Sequence, residues 1–343
     1  MKPLLAFSLS CGLCLGCSQI ADPANSASHT DAPAKEPPAS ELAHYYQYRL
    51  YSTADQRQLT TEQAAAELSE HQVVILGELH GHPAIHLAQM QLLVGMAASQ
   101  PDWVLAMEQF SRNHQASIDS YLNGEIGEAW FRREADAWGN YPSSYRPLVE
   151  FAKAQRQPVI AANAPTLATR CVGQHGLDYL DTLSDEQRTW VASEFFMDDE
   201  AYRSRLLGNG HHGGEPNDQS QERHFQAMLV WDETMAESVV RQAKRHSLVV
   251  LTVGNFHSDY RQGTYARIKW RDPRLSIASV VVVTEQEFSE MSLAQRQLRG
   301  EYLLVVKALP VQYVDPQRQF QQWGHISHNT ANCQLDAQST ALE

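Results

Sequence analysis

The sequence is short of positive charge, with 27 Lys and Arg against 40 Asp and Glu and a net charge of −13. Such a balance repels phosphate backbones and anionic headgroups, so nucleic acid is excluded as a partner and a membrane can be met only through an anchor. Beyond the first residues no apolar run approaches the ~20 residues of a transmembrane helix. No Gly-x-Ser-x-Gly elbow and no phosphate-cradling glycine loop occurs, which argues against serine hydrolase and nucleotide chemistry. Cysteine is scarce, five in 343 residues. What is plentiful is apolar side chain, 43% of the total, enough for a sizeable core.

The N-terminus runs Met1-Lys2, an apolar stretch from Leu4 to Leu15, then Gly16-Cys17. This order resembles a lipoprotein signal peptide, although Cys14 stands where Leu is usual. The resemblance implies removal of residues 1–16, acylation of Cys17 and, with Ser18 rather than Asp following, lodging at an outer membrane on its periplasmic face. An ordinary cleaved signal with a chance cysteine is the alternative. Residues 17–43, rich in Ala, Pro and Ser, cannot bury enough surface to order themselves and read as a tether. With Cys11 and Cys14 gone, Cys171 and Cys333 remain. An oxidising periplasm invites their pairing, two separately buried thiols being the alternative, and two cysteines cannot build a four-thiolate metal site.

From residue 44 to 310, apolar runs alternate with helical patterns, the signature of an α/β domain with a mainly parallel sheet covered by helices. Strands are expected at 73–77, 103–107, 158–162, 248–253, 277–283 and 302–308, several of them unbroken apolar runs of the kind buried on both faces. Helices are expected at 61–70, 84–98, 113–122, 144–156 and 219–245. Between about 169 and 219 only short helical pieces and the loop 208–214 are read, a helical insertion able to lie over one face of the sheet. The tail 311–343 carries no pattern.

Two segments echo each other. His71 to His80 and His246 to His257 are each a buried strand ending in Gly-x-x-His, at Gly77/His80 and Gly254/His257. Ligands of open parallel sheets bind beyond the carboxyl ends of strands, so both imidazoles should face one side. Glu78, His82 and His86 crowd the first copy. Glu108 and Asn163 stand at the ends of two further strands, and Asp232 interrupts an apolar helical stretch. A carboxylate at the end of an apolar strand is costly unless used or paired. Together these residues form an environment for a cation or for acid–base work.

Gly77-Glu78-Leu79-His80 with His86 and Gln89, Met107-Glu108-Gln109-Phe110, Tyr145-Arg146-Pro147-Leu148, Ala161-Ala162-Asn163-Ala164-Pro165, Trp231-Asp232-Glu233-Thr234 and Gly254-Asn255-Phe256-His257 resemble, in order, the motifs of the ChaN-like haem-binding lipoproteins. Gly81-His82-Pro83 departs from the usual Asp and His pair. The resemblance implies binding of haem or iron at the bacterial envelope for iron acquisition, with haem at a homodimer interface on a tyrosine and a histidine nearby. Phenolate is a known haem ligand. Tyr141, Tyr145 and Tyr260 are the candidate ligands, with His86 as the accompanying histidine, and the absence of Cys-x-x-Cys-His excludes covalent haem. Wider relatives include Tiki-type metal-dependent peptidases and erythromycin esterases. The alternative is therefore a hydrolase of esters or peptides in which Glu78, His80, Glu108 and His257 hold a divalent metal or act as bases.

Overall fold

The computed structural model describes residues 41–208, 218–311, 313–315 and 333. The leader, Cys17, and all but the first residue of the loop 208–214 lie outside the described residues.

Eight strands form one sheet: β1 (Tyr48–Ser52), β2 (Arg57–Leu59), β3 (Val73–Glu78), β4 (Trp103–Ser111), β5 (Val159–Asn163), β6 (Leu248–Gly254), β7 (Ile277–Thr284) and β8 (Tyr302–Val306). Their order is β2-β1-β8-β7-β3-β6-β4-β5, with β3 to β8 parallel and the β1–β2 hairpin joined antiparallel to β8. All six strands read from the sequence are present. The hairpin was not legible there, because β1 and β2 are short and β2 exposes Arg57 and Gln58.

Alternation along β3 builds the layers. Val74 and Leu76 face one core with Leu92, Leu93 and Met96 of the helix Pro83–Ser99, while Val73 and Ile75 face the other with Met235 and Val239 of the helix Asp218–Ala243. Each such side chain, taken fully from water, contributes roughly 1.5–3 kcal/mol. The helix Pro83–Ser99 starts where it does because His82 caps it, its Nδ1 accepting from the Ala84 amide at 3.2 Å, with Pro83 next. At the outer edge, the Gln115 side chain imitates a ninth strand: its amide donates to the Val159 carbonyl at 2.9 Å and its oxygen accepts from the Ala161 N–H at 2.8 Å.

Topology makes the crevice. After β3 the chain goes to β4 and β5 on one side, and after β6 to β7 and β8 on the other. Loops therefore part above the central strands, at the place where ligands of open α/β sheets bind.

The stretch from 169 to 217 forms no strand among the described residues, only the end of the helix Thr166–His175, the turns Leu177–Thr182 and Asp185–Arg188, and the helix Glu200–Gly208. Arg112 clamps it down, donating to Glu237 at 3.0 Å, to the Thr234 carbonyl at 2.8 Å and to the Val191 carbonyl at 3.2 Å. Cys171 is joined to Cys333 in a disulfide with Cα atoms 5.5 Å apart, and Tyr179 donates to the Cys333 carbonyl at 2.8 Å.

Candidate functional site

Each Gly-x-x-His glycine makes room for the other copy of the motif. A Cβ on Gly77 would lie 2.7 Å from Asn255 Oδ1, and one on Gly254 would lie 3.1 Å from the His80 ring. Space, rather than a left-handed backbone, is what these two positions require. Because Glu78 and Gly254 are register partners on adjacent strands, His80 and His257 emerge over the same crevice.

Glu78 ends β3 with its side chain wholly buried. It accepts from His80 Nδ1 at 2.7 Å, Tyr145 Oη at 2.6 Å and Gln109 Nε2 at 3.2 Å on one oxygen, and from Gln89 Nε2 at 2.9 Å on the other. Burial opposes its charge, but the bond from His80, the nearby His86 ring and the donors Tyr145 and Gln89 prevail and hold its pKa below the usual carboxylate value. Across the crevice, His257 Nδ1 meets Asp232 Oδ1 at 2.8 Å. Asp232 is fully buried on the helix Asp218–Ala243 and also accepts from Thr264 at 2.7 Å and from Tyr202. Between the two dyads lies Glu108, accepting from the Gly254 N–H and 3.6 Å from His257 Nε2.

The site is thus a pair of carboxylate–imidazole dyads. Each Nδ1 is committed to a buried acid, which fixes ring orientation and turns Nε2 toward the crevice. Burial depresses the His257 pKa, but the charges of Asp232 and Glu108 more than reverse it and raise it to about 9. His80 is also raised: burial again works downward, and Glu78 and Glu108 work upward. His82 goes the other way, lowered by burial while its Nε2 bonds the Lys307 carbonyl at 2.8 Å. We expect nuclear magnetic resonance titration to find His257 still protonated at a pH of about 8 and His82 titrating below the ordinary imidazole value. A His257 midpoint at or below the ordinary imidazole value would contradict the dyad.

Glu78, His80, Glu108 and His257 are therefore brought together around one crevice. Among the described residues no three His, Cys, Asp or Glu side chains are arranged to hold an ion. Four donors fill Glu78, whereas each imidazole uses only Nδ1 on its carboxylate and keeps Nε2 on the crevice side. Asn163 is structural, its amide donating to the Glu108 carbonyl at 3.1 Å and its oxygen accepting from Ala164 at 2.9 Å. His86 is buried with its ring nitrogens 3.1 Å from Gln89 Oε1 and 3.2 Å from the His80 carbonyl, so it braces the first motif and offers no free nitrogen to a ligand.

The three tyrosines separate sharply. Tyr141 is 1% exposed, packed edge-on against Phe110 and Phe131, and Tyr145 is 0% exposed with its hydroxyl on Glu78. Neither presents a phenol to an outside iron, and burial raises the pKa of both. Tyr260 is 43% exposed. It sits on the loop after β6, where Tyr260 (φ 61°) and Arg261 (φ 57°) both hold the left-handed conformation. Each such residue costs on the order of 1–3 kcal/mol and persists only where its surroundings enforce it. Here they do: Arg299 holds Asp259 at 2.5 Å, Arg261 holds Glu301 at 2.6 Å, and Gly263 (φ 56°) turns so close to the His257 carbonyl that a Cβ would come within 2.6 Å. Beside Tyr260 opens a cavity of about 400 Å³ lined by Arg205, Phe256, Asp259, Tyr260 and Gln262.

Sequence reasoning missed Gln109 and Tyr145 as donors to Glu78, Tyr202 and Thr264 as donors to Asp232, and Arg205. The helix Glu200–Gly208, which carries Tyr202 and Arg205, has no apolar stripe that would have announced what it packs against.

The family described as haem-binding uptake, Tiki superfamily, ChaN matches residues 64–268. The fold is similar to that of ChaN of Campylobacter jejuni, solved for cofacial haem binding, at a TM-score of 0.60 and 15% identity over 76% of this chain and 97% of that one. Looser likenesses are a succinoglycan biosynthesis protein (TM-score 0.40, 11% identity, 64% of this chain and 68% of that one) and an erythromycin esterase variant in its open conformation (0.41, 13%, 80% and 86%). No curated protein matches the sequence.

Proposed function

The chain belongs to the ChaN family of haem-binding uptake proteins in the Tiki superfamily, and from that premise we propose that it binds haem through Tyr260, as an envelope lipoprotein anchored at Cys17 that serves iron acquisition. The observation that carries the ligand choice is exposure: of Tyr141, Tyr145 and Tyr260, only Tyr260 has phenol surface to offer.

The chain's own residues fit the group. The cavity beside Tyr260 falls within the ~300–1,000 Å³ of small-molecule sites. Phe256 gives it an aromatic wall, and among the described residues the buried Arg205 Nε and Gln262 Oε1 lack hydrogen-bond partners. A hard phenolate oxygen suits ferric iron, which haem would supply when bound. Arg261 and Arg299 hold the loop in place, so Tyr260 is presented on a rigid support. The exposed position of Tyr260 also suits a homodimer in which two such faces meet over the ligand.

Titration of the mature domain with haemin tests the reading. The wild type is expected to give a shifted Soret band and Tyr260→Phe to lose it, with affinity down at least about tenfold, the effect of one lost bond of about 1.4 kcal/mol. A Tyr260→Phe spectrum identical to wild type would refute the assignment. One observation favours a second reading, acid–base hydrolysis of an ester or peptide: both imidazoles are aligned by buried carboxylates that also raise their pKa, as suits a general acid. Turnover by haem-free protein, abolished in His80→Ala, is the result that would support it.

A further inference from the structure

We propose that Arg205, on the insertion helix Glu200–Gly208, is the recognition residue for a carboxylate of the bound tetrapyrrole. The inference rests on the haem reading above and adds to it a specificity element on a different part of the chain.

The argument begins with charge pairing. Around this corner of the molecule the neighbouring arginines each have an acid: Arg203 has Glu222, Arg261 has Glu301, Arg267 has Asp199 and Arg299 has Asp259. Arg205 has none within ion-pair distance among the described residues, in a chain whose acids outnumber its bases by 13. The acids near enough to act on its charge, Asp259 and Asp232, are each already in contact with another base, Arg299 and His257. A half-buried guanidinium is thus left without a contact partner of its own, a costly arrangement that an anion from outside would relieve.

Geometry says where the anion would sit. Arg205 Nη2 donates to the Phe256 carbonyl at 2.8 Å, and the guanidinium lies over the Phe256 ring at 4.2 Å. That fixes its plane beside Tyr260, whose ring centre is 5.6 Å from Arg205 Cζ. Nε, buried and with no partner among the described residues, is the donor left for an incoming acceptor. Gln262 lines the same cavity, and its Oε1 also lacks a partner; turned over, its amide gives a second donor to the same oxygen pair. Asp259, which also lines the cavity, is paired with Arg299, which offsets its charge toward an incoming anion. A planar fork of donors matches a carboxylate bidentately, which a lysine cannot do.

The test uses haemin, whose propionates are ionised, and haemin dimethyl ester, which carries the same iron without them, each titrated against wild type, Arg205→Gln and Arg205→Lys. Wild type is expected to prefer haemin by about tenfold or more, the scale of a charge-assisted hydrogen bond. Arg205→Gln should lose that preference by weakening haemin binding alone, and Arg205→Lys should retain part of it, both keeping the tyrosinate-type spectrum and the thermal midpoint. If Arg205→Gln binds haemin as wild type does, or weakens haemin and ester equally, the carboxylate role is overturned while the haem reading stands. If wild type shows no spectrum with either porphyrin, the haem reading falls and takes this inference with it.

Discussion

Replacing Asp232 with alanine is expected to lower folding stability by about 3–5 kcal/mol, the largest single-residue effect in the site. The carboxylate is fully buried and accepts from His257, Thr264 and Tyr202. Its removal strands an imidazole and two hydroxyls away from water, each owed a partner. Urea unfolding at neutral pH measures the loss, and a change under about 1 kcal/mol would show that Asp232 is not holding the site.

The pH dependence of that loss follows from linkage. His257 has a folded pKa raised to about 9 from 6.5, so its contribution is complete below about 6.5 and fades as pH rises through about 9. Asp232 is held below its ordinary value because the His257 charge and hydrogen bond, with Arg267 and Tyr202, outweigh burial, so its share is lost only as pH falls through that depressed pKa. The gap between wild type and Asp232→Ala should therefore be widest between those limits and narrow toward pH 9.

The second large effect is expected from Cys333→Ser. The Cys171–Cys333 bond spans 162 residues of chain, and closing a loop of that order restricts the unfolded state by about 3–5 kcal/mol. Cys171 also lies in a small cluster with Val172, Leu180, Val191 and Val230, to which Cys333 packs. Denaturation of wild type with and without reductant should reproduce the variant's shift. Two reactive thiols in native, unreduced protein would remove the basis for the prediction.

Much of the architecture was legible because β3, β6 and β7 are wholly or nearly apolar, a pattern that only a strand covered on both faces sustains. The meeting of His80 with His257 was legible for a related reason: two strands of one parallel sheet must end on the same side. The tyrosines were not. Tyr145 and Tyr260 look alike in sequence, and what separates them is that Tyr145 follows the turn Tyr141–Ser144 into the core whereas Tyr260 rides a loop forced outward by two left-handed residues. Residue types announced the carboxylates and imidazoles of the crevice but not the Gln, Tyr and backbone donors that share the lone pairs of Glu78 and Glu108.

The counterfeit strand made by Gln115 bears on how copies of this protein can meet. An open sheet edge is a template on which another chain can add itself, the usual route to uncontrolled association. At β5 a single side-chain amide satisfies the Val159 carbonyl and the Ala161 N–H that such an intruder would need, and the far margin at β2 is three residues long and exposes Arg57. Both margins thus discourage strand addition, so a pairing of two molecules would be made by side chains of loops and helices, which can be specific, rather than by a continued sheet, which is not.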